Sequence, residues 1–237
     1  MNRKHYLFDV DGTLTKPMQK MSAPFRDKFL KWMEGRSVFL VAGSNLEKVD
    51  EQVPTEVIEN CAGVFCSMAN QFWRGKGLVY ENEWFPAPDL LASLTDIQEL
   101  SSYTNKKEDW MEMRVGMINF TTAGRSSTRQ ERESYHKWDK ENRERESVVE
   151  QLSEKFPDLD FRIGGQISID IQPKGYNKSQ ASKWVREDYG GTIVYFGDNC
   201  GVGGNDYDIC FDVIENGGIV HEVKSPDETL SILNNEN

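Results

Sequence analysis

Short apolar runs alternate with amphipathic stretches along the early part of the chain. Residues 5–10 (HYLFDV), 37–42 (SVFLVA) and 62–66 (AGVFC) are the apolar runs. The second is continuous, as in a strand buried on both faces. Between the first two, residues 22–33 (SAPFRDKFLKWM) open on Ser22 as an N-cap and place Phe25, Phe29 and Trp32 or Met33 at helical spacing. A second helix is predicted over about 45–52. This β-α-β-α-β order predicts a parallel sheet with helices on both sides.

The rhythm then breaks. Residues 82–108 mix proline, tryptophan and acidic residues, and residues 112–121 (EMRVGMINFT) alternate like a half-buried strand. Residues 128–156 are densely charged, with Tyr135, Trp138, Val148, Val149, Leu152 and Phe156 at wide helical spacing. They predict a solvated helix with room for one break. LDFRI (159–163) and ISIDIQ (167–172) predict two further strands. A helix over about 178–188 and strands at 192–196 (TIVYF), 209–213 (ICFDV) and 218–223 (GIVHEV) follow. SPDE (225–228) opens a last helix with an N-cap serine, an N1 proline and a capping-box glutamate. The expectation is an α/β chain with a discontinuous core, residues 1–81 and 185–237, and an α+β cap domain inserted over 82–184.

The 237 residues are 38% hydrophobic, enough for a real core. The formal net charge is −11 and no basic stripe is present, which argues against nucleic acid as a partner. A polyanionic substrate would need a few local cations or a metal. Cys61, Cys66, Cys200 and Cys210 fit no metal-ligand spacing and read as free thiols in a reducing compartment. The N-terminal MNRKHYLFDV has too short an apolar run for a signal peptide. No stretch approaches the ~18 apolar residues that span a membrane. A cytoplasmic protein with no membrane partner is expected.

The chemistry concentrates at strand ends. In FDVDGTLT (8–15), Asp9 and Asp11 fall at the carboxyl end of the first strand, where open parallel sheets bind ligands. Asp198, in FGDNCG, ends the strand 192–196. Three carboxylates brought together repel unless a divalent cation balances them, and hard oxygen ligands of this kind suit Mg²⁺.

FDVDGTLT also resembles the signature of the haloacid dehalogenase superfamily of phosphotransferases, D-x-D-G-T-[LV]-[TL]. The resemblance implies a Rossmann-like parallel-sheet core of that type. It makes Asp9 the nucleophile toward phosphorus and Asp11 the general acid/base, a division suited to two carboxyls beside a metal. Ser44, in VAGSN, matches the second motif, whose hydroxyl holds phosphate, while Ser44-x-x-Glu47 also reads as a capping box. Lys178, in KGYNKSQA, matches the charge-compensating lysine of the third motif, although a lysine at a helix start is ordinarily solvated. Asp198 and Gly203-Gly204-Asn205-Asp206 match the acidic fourth motif, and the latter string also reads as a turn.

Three further strings, residues 124–135 (GRSSTRQERESY), 163–178 (IGGQISIDIQPKGYNK) and 196–208 (FGDNCGVGGNDYD), resemble the phosphomannomutases of this superfamily. That resemblance implies interconversion of mannose 6-phosphate and mannose 1-phosphate, toward GDP-mannose. It implies Mg²⁺, a hexose 1,6-bisphosphate activator, a hexose phosphate substrate and a homodimer formed through the cap. Arg114, Arg125, Arg132, Ser168 and Asp170 would hold the sugar phosphate, arginine suiting phosphate through its planar fork. Asp9, Asp11 and Asp198 would hold the metal, and Asp212 matches a second cation site.

Two departures stand out. Thr15-Lys16-Pro17-Met18 carries methionine where the family has arginine, and the family's E-N-G-L appears as SMANQFWRGKGL (67–78), with Asn70 the matching residue. A Mg²⁺-dependent sugar-phosphate phosphatase is therefore the alternative. A non-catalytic phosphosugar-binding protein is a third reading, against which the full set Asp9, Asp11, Lys178 and Asp198 argues.

Overall fold

The computed structural model describes residues 3–235. In chain order the elements are β1 (Lys4–Phe8), α1 (Ala23–Met33), β2 (Ser37–Val41), α2 (Leu46–Gln52), α3 (Thr55–Asn60), β3 (Gly63–Cys66), β4 (Gln71–Arg74), β5 (Gly77–Glu81), α4 (Pro88–Leu100), β6 (Met111–Arg114), β7 (Met117–Phe120), α5 (Arg129–Asn142), α6 (Glu144–Lys155), β8 (Leu159–Gly164), β9 (Ser168–Pro173), α7 (Ser179–Tyr189), β10 (Thr192–Gly197), α8 (Tyr207–Glu215), β11 (Ile219–Glu222) and α9 (Pro226–Asn235). They form two units: a core, up to Asn82 and from Gly175 onward, and a cap, Glu83–Lys174.

The core sheet has the order β11-β10-β1-β2-β3-β4-β5. β11 through β3 run parallel, and β4 and β5 add an antiparallel hairpin. Strand alternation sends Tyr6, Phe8, Leu40 and Phe196 to one face, against Phe25, Phe29 and Met33 of α1. Leu7, Phe39, Val41 and Tyr195 go to the other, against Ala181 and Val185 of α7 and Ile209 and Val213 of α8. Each large apolar side chain so buried contributes about 1.5–3 kcal/mol. Both faces being covered, the strands read as continuous apolar runs. Ser22 caps α1 by accepting the Phe25 amide at 3.4 Å.

The cap is a four-stranded antiparallel sheet, β6-β7-β9-β8. Ile118, Phe120, Ile169 and Ile171 bury one face against Leu90 and Leu94 of α4 and Val148 and Leu152 of α6. The opposite face is polar. The register pairs Glu112 with Asn119, Asn119 with Asp170, and Asp170 with Arg162, so these four residues form one row across the sheet.

Several expectations need correction. Residues 209–213 lie in the helix α8, not in a strand. Ile209, Cys210 and Val213 are its buried stripe, a short apolar run that periodicity alone does not distinguish from a strand. The second core boundary falls at 174/175 rather than 184/185, because α7 packs its apolar face on the core sheet. The first falls at 82/83 rather than 81/82, where the Asn82 amide donates to Asn70 O. The stretch 112–121 is two strands, turned at Gly116 with φ +71°. The charged helix breaks at Arg143, which is left-handed (φ 53°). There Asp139 accepts the amide and the Nε of Arg145 at 2.9 and 2.8 Å. The mixed segment 82–108 contains α4, started by Pro88 in its first turn.

Candidate active site

Asp9 follows β1 and Asp198 follows β10, neighbouring parallel strands whose last paired residues are Phe8 and Phe196. The Asp9 amide donates to Phe196 O at 2.9 Å, which fixes where its side chain starts. Asp206, the residue before α8, completes a carboxylate triad with them, with one oxygen of each lying within 4.8 Å of the others. Asp9 and Asp206 are buried and Asp198 is exposed.

Lys178, just before α7, is fully buried between two of these acids. Its Nζ donates to Asp9 Oδ1 at 2.6 Å and to Asp206 Oδ1 at 2.7 Å. The solvated alternative for Lys178 does not hold: its side chain is an internal counter-ion to both acids. Burial disfavours its charge, but Asp9 and Asp206 push its pKa above the ordinary lysine value. Asp206 has further partners: Oδ1 also accepts from the Tyr195 hydroxyl at 2.6 Å and Oδ2 accepts the Asn199 amide at 3.1 Å. It acts as an orienting anion behind the lysine.

Burial pushes the Asp9 carboxyl above its ordinary value, with Lys178 opposing the rise and the Asp206 charge adding to it. Burial likewise raises Asp198, with the Asp206 charge adding to the rise. Three carboxylates against one ammonium leave the site short of positive charge. The donors are hard oxygens, and the exposed Asp198 leaves an approach from solvent, so the residues present fit a divalent cation of the Mg²⁺ kind. Among the expected metal ligands, Asp9 and Asp198 are brought together. The side chain of Asp11 is engaged elsewhere.

Asp11 Oδ1 accepts the Met18 amide at 2.7 Å and the Gln52 side-chain amide, also at 2.7 Å. Gln52 ends α2 and is buried. The loop from Asp9 to Thr15 is tight: the Gly12 amide donates to Thr15 O at 2.8 Å and the Leu14 amide to Val10 O at 2.9 Å. Gly12 has φ +82°, and a Cβ there would lie 2.0 Å from Asp198 Oδ2. Glycine is thus required both by the backbone conformation and by the carboxylate pressed against it. Met18 is left-handed (φ 59°) and exposed, so the position expected to carry arginine contributes its amide to Asp11 while its side chain points to solvent.

Ser44 follows β2 at the same end of the sheet. The capping reading of Ser44 does not hold: Asn45 is the N-cap of α2 and accepts the Lys48 amide at 3.2 Å. The hydroxyl of Ser44 stands outside that cap. Asp212 is not brought to the triad. It lies within α8, accepting from Ser182 Oγ at 2.5 Å and from both terminal nitrogens of Arg186 at 3.1 and 3.0 Å. That ion pair ties α7 to α8. Asn70 is buried and its Oδ1 accepts from Gln180 at 3.0 Å, which ties the β3–β4 loop to α7. Ser67, Met68 and Ala69 in that loop are all left-handed.

The cap gathers the other expected residues on its polar face. Arg114 donates to Glu112 at 2.6 Å, and Arg125 pairs with the same carboxylate at 2.8 Å. Arg125 also donates to Asn119 Oδ1 and, at 3.5 Å, to Ser168 Oγ. Asn119 in turn donates to Asp170 Oδ1 at 2.5 Å. Burial raises the Asp170 pKa, against the Asn119 hydrogen bond and the charges of Arg114 and Arg125. Arg132 is not on the polar face of the sheet. From α5 it donates to Ser127 O at 2.9 Å and Arg125 O at 2.7 Å, holding the loop that carries Arg125.

Glu112, Asn119 and Gln52 also belong to these two clusters, although no motif marks them. The period-two pattern places Glu112 and Arg114 on one face of β6, a signal that was available. Gln52 touches Asp11 only through the fold.

A parallel sheet with paired carboxylates at its strand ends, a buried lysine and an inserted cap defines a haloacid-dehalogenase-like phosphotransferase. Its fold is similar to a haloacid dehalogenase-like hydrolase from Bacteroides thetaiotaomicron (TM-score 0.64, 13% identity, covering 99% of this chain and 100% of that one). It is also similar to the C-terminal domain of trehalose-6-phosphate phosphatase from C. albicans (TM-score 0.66, 13% identity, 98% and 91% covered). The profile of the eukaryotic phosphomannomutase family matches residues 25–236. The phosphomannomutase of Saccharomyces cerevisiae is 35% identical over 239 residues, covering 96% of this chain and 91% of that protein. The chain belongs to the eukaryotic phosphomannomutase family. Among the described residues no helix is long and apolar enough to cross a membrane.

Proposed function

We propose that this chain is a phosphomannomutase that interconverts mannose 6-phosphate and mannose 1-phosphate through a phosphoryl group carried on Asp9. The observation that supports this most directly is the buried Lys178, 2.6 Å from Asp9 and 2.7 Å from Asp206, beside the exposed Asp198.

Lys178 and Asp206 hold Asp9 in one orientation, so its free oxygen can attack phosphorus in line. Asp11 is presented by Gln52 and the Met18 amide, and it would give a proton to the leaving sugar oxygen and take one from the incoming hydroxyl. Ser44 lies at the end of the adjacent strand and would donate to a phosphate oxygen. Asp9 and Asp198 would hold Mg²⁺, which when bound neutralises phosphate and carboxylate charge. Asp212 is given no part in this site, because Arg186 already neutralises it.

On the cap, Arg114 and Arg125 would bind the phosphate that does not react, exchanging Glu112 for it. Ser168 and Asp170 would contact the sugar. A hexose 1,6-bisphosphate would supply the first phosphoryl group to Asp9, and the enzyme would be a cytoplasmic homodimer formed through the cap.

The test supplies mannose 1-phosphate, Mg²⁺ and a catalytic amount of glucose 1,6-bisphosphate, and follows mannose 6-phosphate and free phosphate together. Isomer without phosphate is expected. Phosphate without isomer would make the chain a sugar phosphatase, a reading favoured only by Met18 in place of arginine. Neither product, with other hexose phosphates also inert, would leave a binding protein.

A further inference from the structure

The cap contains a buried ion pair that the proposed chemistry does not use. Arg145 opens α6 and Asp139 lies in α5, and both side chains are buried. The Asp139 carboxylate accepts the Arg145 amide at 2.9 Å and its Nε at 2.8 Å. The left-handed Arg143 between the two helices lets these residues meet. A buried guanidinium has more donors than one carboxylate satisfies, and the remainder need partners. Nη1 finds them at the β8–β9 turn, donating to Gly165 O at 3.2 Å and to Gly164 O and Ser168 O at 3.4 Å each.

By residue type this turn is loose. Gly164 and Gly165 are consecutive, and Gly165 is left-handed at φ +49° with nothing within 4 Å of a Cβ built there. Its conformation is therefore set by what grips it. The helix α6 packs Val148 and Leu152 with Ile169 and Ile171 on the apolar face of the cap sheet, so Arg145 reaches the turn from that side. Ser168 and Asp170 alternate with those isoleucines and belong to the opposite, polar face. Ser168 pairs with Gly164 across the hairpin, and its Oγ accepts from Arg125 at 3.5 Å. A Cβ on Gly164 would lie 2.9 Å from Asp170 Oδ2, so the backbone there is a wall against that carboxylate. A shift of the turn moves the Ser168 hydroxyl and the wall of Asp170 together.

We propose that Arg145 is a positioning residue for the sugar-binding face of the cap: it grips the carbonyls of the β8–β9 turn from the helix side and so fixes Ser168 and Asp170 on the polar face, without itself touching substrate. The proposal rests on the reading that Ser168 and Asp170 contact the sugar. Asp139 sets the direction of the grip, because it binds both the backbone amide and the Nε of Arg145. Arginine suits the task because its planar fork serves Asp139 through Nε and the turn through Nη1 at once. A lysine ammonium is a point charge that cannot do both. The grip governs where the sugar ligands stand and leaves the carboxylates of the core unchanged. Its loss should therefore appear in sugar-phosphate binding and not in the reaction at Asp9.

The test is Arg145→Lys in the full-length protein, assayed well below its melting transition. Amide hydrogen exchange reads the turn, and KM and kcat are measured for mannose 1-phosphate with Mg²⁺ and a catalytic amount of glucose 1,6-bisphosphate. Hydrolysis of a small aryl phosphate is the control. The expected result is faster exchange at 164–168 and a KM raised several-fold, the worth of about one hydrogen bond, with kcat and aryl phosphate hydrolysis near their starting values. In a Ser168→Ala, Asp170→Asn background, adding Arg145→Lys should raise KM no further, since it acts through those two residues. Asp139→Asn keeps an acceptor for Arg145 but removes the charge, and it should give the same pattern more weakly should the lysine variant not fold. Unchanged exchange at 164–168 would overturn the proposal. So would a fall in kcat at constant KM, equal losses on both substrates, or a full further rise in KM in the double-variant background. If Ser168→Ala, Asp170→Asn alone left KM unchanged, the sugar-contact reading would fail instead, and the exchange at 164–168 would still decide the grip.

Discussion

Lys178 Nζ lies 2.6 Å from Asp9 Oδ1, with neither side chain more than marginally open to solvent, although the two residues are 169 positions apart in the chain. The lysine also serves Asp206, so its loss would strand two buried carboxylates. Lys178→Met is expected to destabilise the core by about 3–5 kcal/mol, read by urea denaturation. Asp9→Asn leaves the Lys178–Asp206 pair in place, and should abolish turnover with a much smaller stability change. Full turnover in Asp9→Asn would rule out phosphoryl transfer through that carboxylate.

Gly12→Ala places a methyl 2.0 Å from Asp198 Oδ2 on a backbone at φ +82°. The strain should cost about 1–3 kcal/mol of stability. Because the clash displaces Asp198, the Mg²⁺ concentration needed for half-maximal activity should rise as well. A variant with normal Mg²⁺ dependence would show that Asp198 is not a ligand.

Gln52→Leu removes one of the two hydrogen bonds that orient Asp11. A hydrogen bond to a charged group is worth about 1.5–3 kcal/mol, so kcat should fall roughly ten- to a hundredfold. KM for the sugar phosphate should change little, since Gln52 acts through Asp11. A rise in KM at constant kcat would place Gln52 in substrate binding instead.

Arg125→Ala should raise KM for hexose phosphate strongly and leave hydrolysis of a small aryl phosphate near its starting value, because only the sugar substrate carries a group to the cap. Arg132→Ala should show the same pattern more weakly, since it acts on the Arg125 loop through two carbonyls. Equal losses on both substrates would remove Arg125 from the distal phosphate site.

His5 is buried in β1, its Nδ1 2.9 Å from Ser37 Oγ and its Nε2 without a partner. Burial, with a smaller contribution from Arg3, lowers its pKa below the ordinary value. The folded state therefore binds fewer protons than the unfolded chain just below about pH 6.5. The neutral ring's contribution is fully present above that pH and is lost as the pH falls through it. Urea midpoints measured on both sides should drop on acidification, and His5→Phe should flatten the drop. An identical pH slope in the variant would clear His5 of the effect.

Much of the core was legible because its signals are local. Apolar runs marked β1, β2, β3 and β10, Ser22 announced α1, and FDVDGTLT carried its carboxylates at a strand end. The same locality explains the failures. ICFDV is short and apolar, so only the packing of Ile209 and Val213 under the sheet decides that it is helical. Ser44 and Asn45 are both good caps by residue type, and the backbone chose Asn45.

By itself, then, the sequence determined the residue types of the site, its place beyond parallel strand ends and the presence of an inserted cap, since periodicity and motif spacing act over a few residues. Tertiary structure alone decided the partners. It set Lys178 fully buried against both Asp9 and Asp206, made Asp206 rather than Asp11 the third acid beside Asp9 and Asp198, and set Gln52 on Asp11. Those pairings depend on which strands neighbour each other and on the balance of desolvation against charge in a buried pocket, neither of which any short segment contains.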